Sequence, residues 1–356
     1  MDLSWLRLLT VASVVQCCLC LVAAPATTIV GAPHIHSLVP RVGSLNFTGP
    51  GNTTWICPDI QDMKEVSCTC DLPHTVRCRG YASNESTVLS LTRSLVDAQV
   101  SLLDLSVHHL LHLPDKVFNG LQLLGLVVSA AGLNDLKPRT FKGLEGTLTA
   151  LGLPANNFNS VPIEALQPLT RLQRLDLSDN QLEELPSRAF PTLIQLHSLS
   201  LSGNKLRTIQ PECFVKLPQM RTLNLARNML DASQISERTL WGLHVLKELS
   251  LQKNLLKGSI SPDFISGAPT LTSLDLSYNA LTSISMGALK SYSKLELLDL
   301  SHNIIAVIED HALRHLTKLQ ELVLSHNRVV AVSGWSLAHV PKLTTLRFAD
   351  NAILAV

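Results

Sequence analysis

Two pairs of histidines stand at spacings that could bind a metal ion. His311 and His315 lie four residues apart, as in the zinc-protease motif, but that motif needs a glutamate where Ala312 stands. His302 and His326 lie 24 residues apart, one period of the repeat that fills the chain. On neighbouring strands their rings would stack about 5 Å apart and could bind metal or respond to acid. We interpret all four as ordinary surface histidines and predict no metal site and no cofactor.

Other catalytic groups are not recognisable in the sequence. It contains no Gly-x-Ser-x-Gly nucleophile motif and no glycine-rich phosphate loop. Cys213 precedes Phe214 at a position that calls for a small buried residue, where a cysteine behaves as a small hydrophobic side chain. We therefore expect packing at Cys213, not a reactive thiol, and predict that the protein is not an enzyme.

The charge balance disfavours a polyanionic partner. The 29 Lys and Arg residues nearly equal the 28 Asp and Glu residues, which gives a net charge of +1. A chain without a strong positive field does not attract nucleic acid. We therefore expect a protein ligand or receptor as partner, with self-association as one form of it, and no nucleic acid.

The first 26 residues resemble a secretory signal peptide. An apolar run of 17 residues extends from Leu8 to Ala24, shorter than the roughly 20 residues that a membrane span needs. Only Arg7 is basic before this run and Asp2 opposes it, so an uncleaved anchor stays an alternative. We predict a secreted protein, or one at the extracellular face of the plasma membrane, held there only by an anchor outside this chain.

Residues 27–56 and 57–100 carry further signs of secretion. Residues 27–56 are rich in Gly, Pro and Thr, and we interpret them as a flexible, glycosylated leader. Glycosylation sequons begin at Asn46, Asn52 and Asn84. Four cysteines lie within 22 residues and predict two disulfides at an N-terminal cap: Cys57, Cys68, Cys70 and Cys78.

A single motif, Leu-x-Leu-x-x-Asn-x-Leu, repeats from residue 101 to the end. About eleven copies can be aligned, the last incomplete, at intervals of 23 to 26 residues. The asparagine position holds His108 and Ala131 in the first two copies and asparagine in the other nine: Asn156, Asn180, Asn204, Asn228, Asn254, Asn279, Asn303, Asn327 and Asn351. Such a period predicts a solenoid of stacked coils that share one core.

Each position of the motif has a physical role. Leucines at alternating positions, such as Leu175 and Leu177, point inward from a short strand. The asparagine turns inward and bonds backbone groups that the turn leaves without partners. Phenylalanines form a column on the opposite side of the coil: Phe118, Phe141, Phe190 and Phe214. The expected fold class is an α/β repeat solenoid with a parallel concave sheet and an irregular or 3-10 convex side.

The repeats and the cysteine cluster resemble the extracellular leucine-rich-repeat family with an N-terminal cysteine flank, most like its chaoptin-type and slit-type proteins. The resemblance implies a horseshoe fold and disulfides joining Cys57 to Cys70 and Cys68 to Cys78. It also implies terminal caps, and because the sequence stops at Val356 within a repeat, we expect a fragment, a truncated gene model or a partner that covers this end.

Two surfaces are candidates for ligand binding. The first comprises polar residues that point away from the core on the concave sheet: Arg174, Asp176, Ser178, Asn224, Glu248, Gln252, Asp275 and Asp299. The alternative is that these residues only solvate the sheet. The second is a flat apolar patch for docking or self-association, formed by Gly125, Val127, Ala150 and Pro154. The alternative there is two divergent repeats that pack under the cap.

The sequence therefore predicts a non-catalytic extracellular binding module for recognition or adhesion. A matrix protein resembling small leucine-rich proteoglycans is an alternative, although residues 27–55 contain no Asp or Glu, unlike the acidic leaders of those proteins. The ectodomain of an innate immune-type receptor is another. Membership of the family implies binding and does not name the ligand.

Overall fold

The computed structural model describes residues 55–58, 60, 66–81, 85–235 and 238–354. The predicted signal peptide, nearly all of the leader, and the sequon asparagines Asn46, Asn52 and Asn84 lie outside these residues. The contacts divide the chain into two compact units. Of the described residues, those up to 230 and 238–246 form the N-terminal unit, and 231–235 with 247–354 form the C-terminal unit.

The N-terminal unit begins with an antiparallel hairpin and continues as parallel coils. Its elements in chain order are β1 (Val66–Leu72), β2 (Thr75–Tyr81), α1 (Glu85–Ser94), β3 (Leu102–His108), β4 (Gly125–Ser129), β5 (Ala150–Gly152), α2 (Ile163–Leu166), β6 (Arg174–Asp176), β7 (Glu184–Leu185), β8 (Ser198–Ser200), β9 (Thr208–Ile209) and β10 (Thr222–Asn224). Strands β2, β3, β4, β5, β6, β8 and β10 pair in parallel in that order, and β7 pairs with β9 in a second small sheet.

The C-terminal unit has the same plan. Its elements are a 3-10 turn (Ala232–Gln234), β11 (Glu248–Ser250), β12 (Lys257–Ile260), β13 (Ser273–Asp275), β14 (Ala280–Ile284), β15 (Leu297–Asp299), β16 (Val307–Ile308), β17 (Glu321–Val323) and β18 (Thr345–Arg347). Strands β11, β13, β15, β17 and β18 form one parallel sheet, and β12, β14 and β16 form another.

The core of each unit is a stack of equivalent leucines. Leu175 pairs in register with Leu199, which pairs with Leu223, and all three are buried. Burying a leucine side chain contributes about 1.5–3 kcal/mol, and no coil can do this without neighbours above and below. The predicted leucine-rich solenoid is confirmed, with six coils in one unit and five in the other.

The asparagines form the predicted buried ladder. Asn180 donates from Nδ2 to the carbonyls of Leu153 and Leu177, both at 3.0 Å, and its Oδ1 accepts the Phe158 N–H at 3.1 Å. Each asparagine thereby ties its own coil to the preceding one. Where Ala131 replaces an asparagine, Asn156 of the next coil accepts the N–H of Ala131 at 3.2 Å.

The residue before each asparagine has a left-handed backbone. Its φ is +55° at Asp179, +56° at Arg227, +53° at His302 and +57° at His326, and Gly203 takes the same place with φ +69°. This conformation reverses the chain at the end of the strand, so that the next side chain points inward. A residue with a Cβ incurs about 1–3 kcal/mol of strain there, which the asparagine hydrogen bonds offset.

The N-terminal cap has the disulfide pairing that the family resemblance implies. Cys57 is joined to Cys70 and Cys68 to Cys78, with Cα–Cα distances of 5.8 and 4.0 Å. The second bridge lies across the β1–β2 hairpin, because Cys68 is the register partner of Cys78. Among the described residues, no helix has the length and apolarity needed to cross a bilayer.

Candidate ligand-binding faces

Side chains that point away from the core form rows across each parallel sheet. In the N-terminal unit one row runs through the register partners Asp104, Val127, Gly152, Asp176, Ser200 and Asn224. In the C-terminal unit the equivalent row runs through Ser250, Asp275, Asp299, Val323 and Arg347. Four of the polar candidates from the sequence, Asp176, Asn224, Asp275 and Asp299, lie in these rows.

Several candidate residues also hold the end of their own strand. Oδ1 of Asp176 accepts the N–H of Ser178 at 2.9 Å, and Oδ1 of Asn224 accepts the N–H of Ala226 at 3.0 Å. Asp299 makes the same bond to Ser301 at 2.8 Å. Such an Asx bond stabilises the turn that leaves the strand. The sequence pattern did not reveal this role, because alternation shows which way a side chain faces and not what it bonds.

Asp275 is the most enclosed of these carboxylates. It is 1% exposed and accepts hydrogen bonds from Ser277 Oγ at 2.7 Å, from Ser277 N at 3.0 Å and from Ser250 Oγ at 3.3 Å. Burial raises the pKa of Asp275, and the neighbouring Asp299 carboxylate raises it further, against the lowering effect of the serine hydrogen bonds. This face is therefore filled with side chains that bond one another.

The remaining polar candidates lie on the same faces. Arg174 and Glu248 are half-buried, and Ser178 is buried. Gln252 is half-buried and donates from Nε2 to Ser277 Oγ at 3.1 Å. Arg174 belongs to the N-terminal unit and Glu248 to the C-terminal unit.

Two residues of the predicted apolar patch, Val127 and Pro154, line a concavity. Val127 is only 7% exposed and Ala150 only 2%, so these side chains offer little apolar surface. In place of a flat surface lies a concavity of about 330 Å³, whose lining includes Val127, Gly152 and Pro154. Its floor is low because Gly152 has no side chain between Val127 and Asp176 in the row.

Charged groups stand at both ends of this concavity. Asp104 lies at one end beside Arg79, and Asp176 lies at the other near Asp179. Burial raises the pKa of Asp104, against opposing effects from Arg79, the Ser106 hydroxyl and Arg77. The lining between these carboxylates thus combines Val127, Gly152 and Pro154 with three serines: Ser106, Ser129 and Ser178.

The expected stack of His302 and His326 is confirmed, with ring centroids 4.1 Å apart. Tyr278 extends it at 4.0 Å from His302, and His326 Nδ1 lies 3.1 Å from an Asp350 oxygen. The structure thus adds a tyrosine and an aspartate that the histidine spacing could not reveal. Over the described ranges, no group of three metal-ligating side chains comes together.

The other two histidines and Cys213 take no part in such a stack. His311 lies edge-on to His339 at 5.0 Å, whereas His315 accepts a hydrogen bond from Arg314 Nε at 3.1 Å. Cys213 is fully buried, and burial raises the pKa of its thiol to about 12. The protonated thiol is a poor nucleophile, in keeping with a packing role.

Comparison with protein families decides the classification. The model described as Leucine rich repeat matches residues 146–206, 170–230, 194–256, 246–305 and 293–353, which together span more than half of the chain. The chain belongs to the leucine-rich-repeat family. No curated protein matches it.

Solved leucine-rich-repeat structures share the fold at low sequence identity. The Drosophila Toll protein, in its complex with Spatzle, is 23% identical with a TM-score of 0.60, over 74% of this chain and 40% of its own. The internalin InlF of Listeria monocytogenes is 19% identical with a TM-score of 0.55, over 78% of this chain and 74% of its own. TLR13, in a complex with ssRNA13, is 18% identical with a TM-score of 0.53, over 77% of this chain and 53% of its own.

The TLR13 and Toll chains are longer than the part that this chain matches. This leucine-rich-repeat chain spans about half of the TLR13 chain and less than half of the Toll chain. At such identities the likeness shows the fold alone.

Proposed function

We propose that this protein is an extracellular, non-catalytic protein-binding module that serves recognition or adhesion at a cell surface or in secretion. The observation that carries the proposal is the row arrangement of each unit, in which outward side chains from successive coils form one continuous face. Leucine-rich-repeat folds are typically scaffolds for protein interaction, and binding needs such a face rather than a catalytic cleft.

The proposed extracellular location rests on two kinds of observation. The two disulfides of the cap form and persist in oxidising compartments. The signal-like residues 1–26 and the sequons at Asn46, Asn52 and Asn84 agree with passage through the secretory pathway.

The ectodomain of an innate immune-type receptor is a second candidate within the same class. The likeness to Toll, whose structure contains Spatzle, favours it. TLR13 has been solved with single-stranded RNA, but the rows of this chain carry Asp104, Asp176, Asp275 and Asp299, which repel a polyanion. We therefore propose a protein ligand.

The first test is binding to a panel of extracellular proteins from the source organism, with the protein expressed in a eukaryotic host. Its secretion and the loss of mass on glycosidase treatment would be measured alongside. We expect at least one panel member to bind, and Asn224→Arg or Glu248→Arg to weaken that binding by about tenfold through a clash on the outward face of the sheet.

The matched control is Glu164→Arg, which makes the same change of charge as Glu248→Arg at an exposed residue of α2, away from the rows. Equal loss of binding in the control and the row variants, or the absence of any partner in a well-folded secreted protein, would contradict the proposal.

A further inference from the structure

We infer that Asn119 is a site of spontaneous deamidation, a covalent modification in which the backbone nitrogen of Gly120 displaces ammonia from the asparagine side chain. The product is aspartate or isoaspartate on the turn between β3 and β4. The only co-reactant is water, and the reaction does not depend on the proposed binding function.

The first argument is the pair of residues itself. Asn119-Gly120 is the single Asn-Gly step in the sequence, and each of the other asparagines precedes a residue that has a Cβ. Glycine has no side chain to shield its backbone nitrogen, and its backbone turns more freely than that of other residues. The side chain of Asn119 therefore has a less hindered neighbouring nitrogen than the other asparagines have.

The second argument is the turn in which the pair lies. Asn119 and Gly120 are both exposed, and φ of Gly120 is +93°. The Asn119 N–H donates to the Lys116 carbonyl at 2.9 Å, and the Leu121 N–H donates to the Phe118 carbonyl at 3.2 Å. Over the residues that the structure describes, the Gly120 N–H between them has no acceptor. This nitrogen can thus lose its proton and attack without breaking a hydrogen bond of the turn.

The third argument is the protection of the ladder asparagines. The side chain of Asn180 bonds several backbone groups in the core, and the following nitrogen, that of Gln181, donates to the Phe158 carbonyl at 2.9 Å. Asn204 and Lys205 repeat this arrangement. Attack in the ladder would break buried hydrogen bonds, whose groups are costly to leave without partners. The ladder is therefore expected to stay intact under conditions in which the exposed pair reacts.

The reaction balances with water alone. The Gly120 nitrogen gives up its proton and bonds to Cγ of Asn119, the bond from Cγ to Nδ2 breaks, and Nδ2 leaves with that proton as ammonia, which yields a cyclic imide. Water then adds to one of the two imide carbonyls and opens the ring. Opening at Cγ gives aspartate, whereas opening at the main-chain carbonyl gives isoaspartate, in which the chain continues through Cβ and Cγ.

The next coil packs against this turn. A Cβ built on Gly143, the glycine equivalent to Gly120 in that coil, would lie 3.0 Å from Asn119 Oδ1 and 3.2 Å from its Cα. The Gly143 N–H in turn donates to Glu145 Oε2 at 2.7 Å. Deamidation adds a negative charge beside the turn that holds this carboxylate, and isoaspartate lengthens the main chain by a methylene. The modification therefore changes the contact between the coils of β3 and β4.

The test is an ageing experiment on the full chain, incubated at physiological temperature and mildly alkaline pH. Tandem mass spectrometry of a protease digest follows each asparagine by the mass gained when an amide becomes an acid. We expect conversion at Asn119 to be at least about tenfold faster than at any ladder asparagine. Asn159 is the internal comparison, since it is also exposed but precedes Ser160, and its conversion should be slower than that of Asn119.

Two variants block the reaction and keep the turn. Asn119→Lys copies Lys142, which precedes Gly143 at the equivalent place in the next coil, where φ of the glycine is +99°. Asn119→Gln retains an amide but would have to close a larger ring, so we expect it to react much more slowly. Isoelectric focusing of the intact chain should show an acidic form that grows with time in the wild type and far more slowly in both variants.

Three results would overturn the inference. The first is an intact Asn119 after several half-lives of the free peptide Val-Phe-Asn-Gly-Leu under the same conditions. The second is conversion of Asn159 or of the ladder at the rate of Asn119. The third is an acidic form that appears as fast in Asn119→Gln as in the wild type. Binding of a partner is not among the readouts, so the proposed function is tested separately.

Discussion

The outward rows of the two units occupy equivalent strands, but one row is open and the other is filled. In the N-terminal unit, Val127 and Gly152 stand between two aspartates and leave a concavity of about 330 Å³. In the C-terminal unit, Asp275 lies against Ser250 and Ser277 and is 1% exposed. One row has space for a ligand side chain, and the other satisfies its polar groups internally.

This difference shows that the scaffold and the surface vary independently. Asn303 bonds the carbonyls of Leu276 and Leu300 at 3.0 Å, the same distances that Asn180 has to its two carbonyls. The hydrogen bonds of the asparagine ladder are therefore the same whichever side chains point outward. A single outward position in each coil decides between an open and a filled face.

The largest expected effect tests whether the scaffold is equivalent in both units. Asn180→Ala and Asn303→Ala each remove the hydrogen bonds donated to three carbonyls and the acceptor of one buried N–H. We expect each to lower the free energy of unfolding by about 3 kcal/mol, since the groups left behind are buried. Urea unfolding, with hydrogen exchange at Phe158 and Leu281, measures the two losses separately.

Asn224→Ala is the control for these variants, because this asparagine lies on the outward face and its Oδ1 accepts the Ala226 N–H. A cost of about 1 kcal/mol is expected there. If Asn180→Ala and Asn303→Ala differed by more than about 2 kcal/mol, the two ladders would not be equivalent.

A smaller effect is expected at the position before the ladder. A Cβ on Gly203 would meet Asp179 Oδ1 at 2.1 Å, and φ there is +69°. We expect Gly203→Ala to cost about 2 kcal/mol in thermal or urea unfolding. At the same position of the C-terminal unit, His302→Gly relieves strain and loses two ring contacts, so its change should stay below about 1 kcal/mol. A costless Gly203→Ala would show that the coil adapts.

The smallest effect concerns pH and the filled row. Because the pKa of Asp275 is raised, the folded state holds this proton more tightly than the unfolded chain does, whose pKa is near 3.8. The contribution of Asp275 to stability is therefore greatest below that value and is lost as the pH rises through the folded pKa. Asp275→Asn should remove this fall and be more stable at neutral pH by about 1 kcal/mol.

The exposed Asp310 supplies the control for Asp275, since Asp310→Asn removes the same charge without burial. The difference in unfolding free energy between wild type and each variant would be followed from pH 3 to pH 7 in urea. Parallel profiles for the two variants would show that burial does not set the titration of Asp275.

The sequence predicts the features that recur in every coil, but it does not predict features that belong to one or two coils. Period and residue type together indicate the leucine core and the asparagine ladder. The short pairings of Glu184–Leu185 with Thr208–Ile209 leave no such signal, because two residues per coil show no alternation. The concavity has no signal in the sequence, because the burial of Val127 and the gap above Gly152 arise only when three strands are placed side by side.

The salt bridge over Gly203 has a consequence for how the repeats can be exchanged. Arg227 reaches Asp179 at 2.9 Å, so the pair passes over the intervening coil, whose residue at that place has no side chain. Solenoid stability is ordinarily a sum over single repeats and adjacent pairs. Here the coils of Asn180, Asn204 and Asn228 act as a triplet: duplicating or inserting one coil among them would part the ion pair by about another 4.8 Å. In shuffling or design, these three coils should be moved as one cassette.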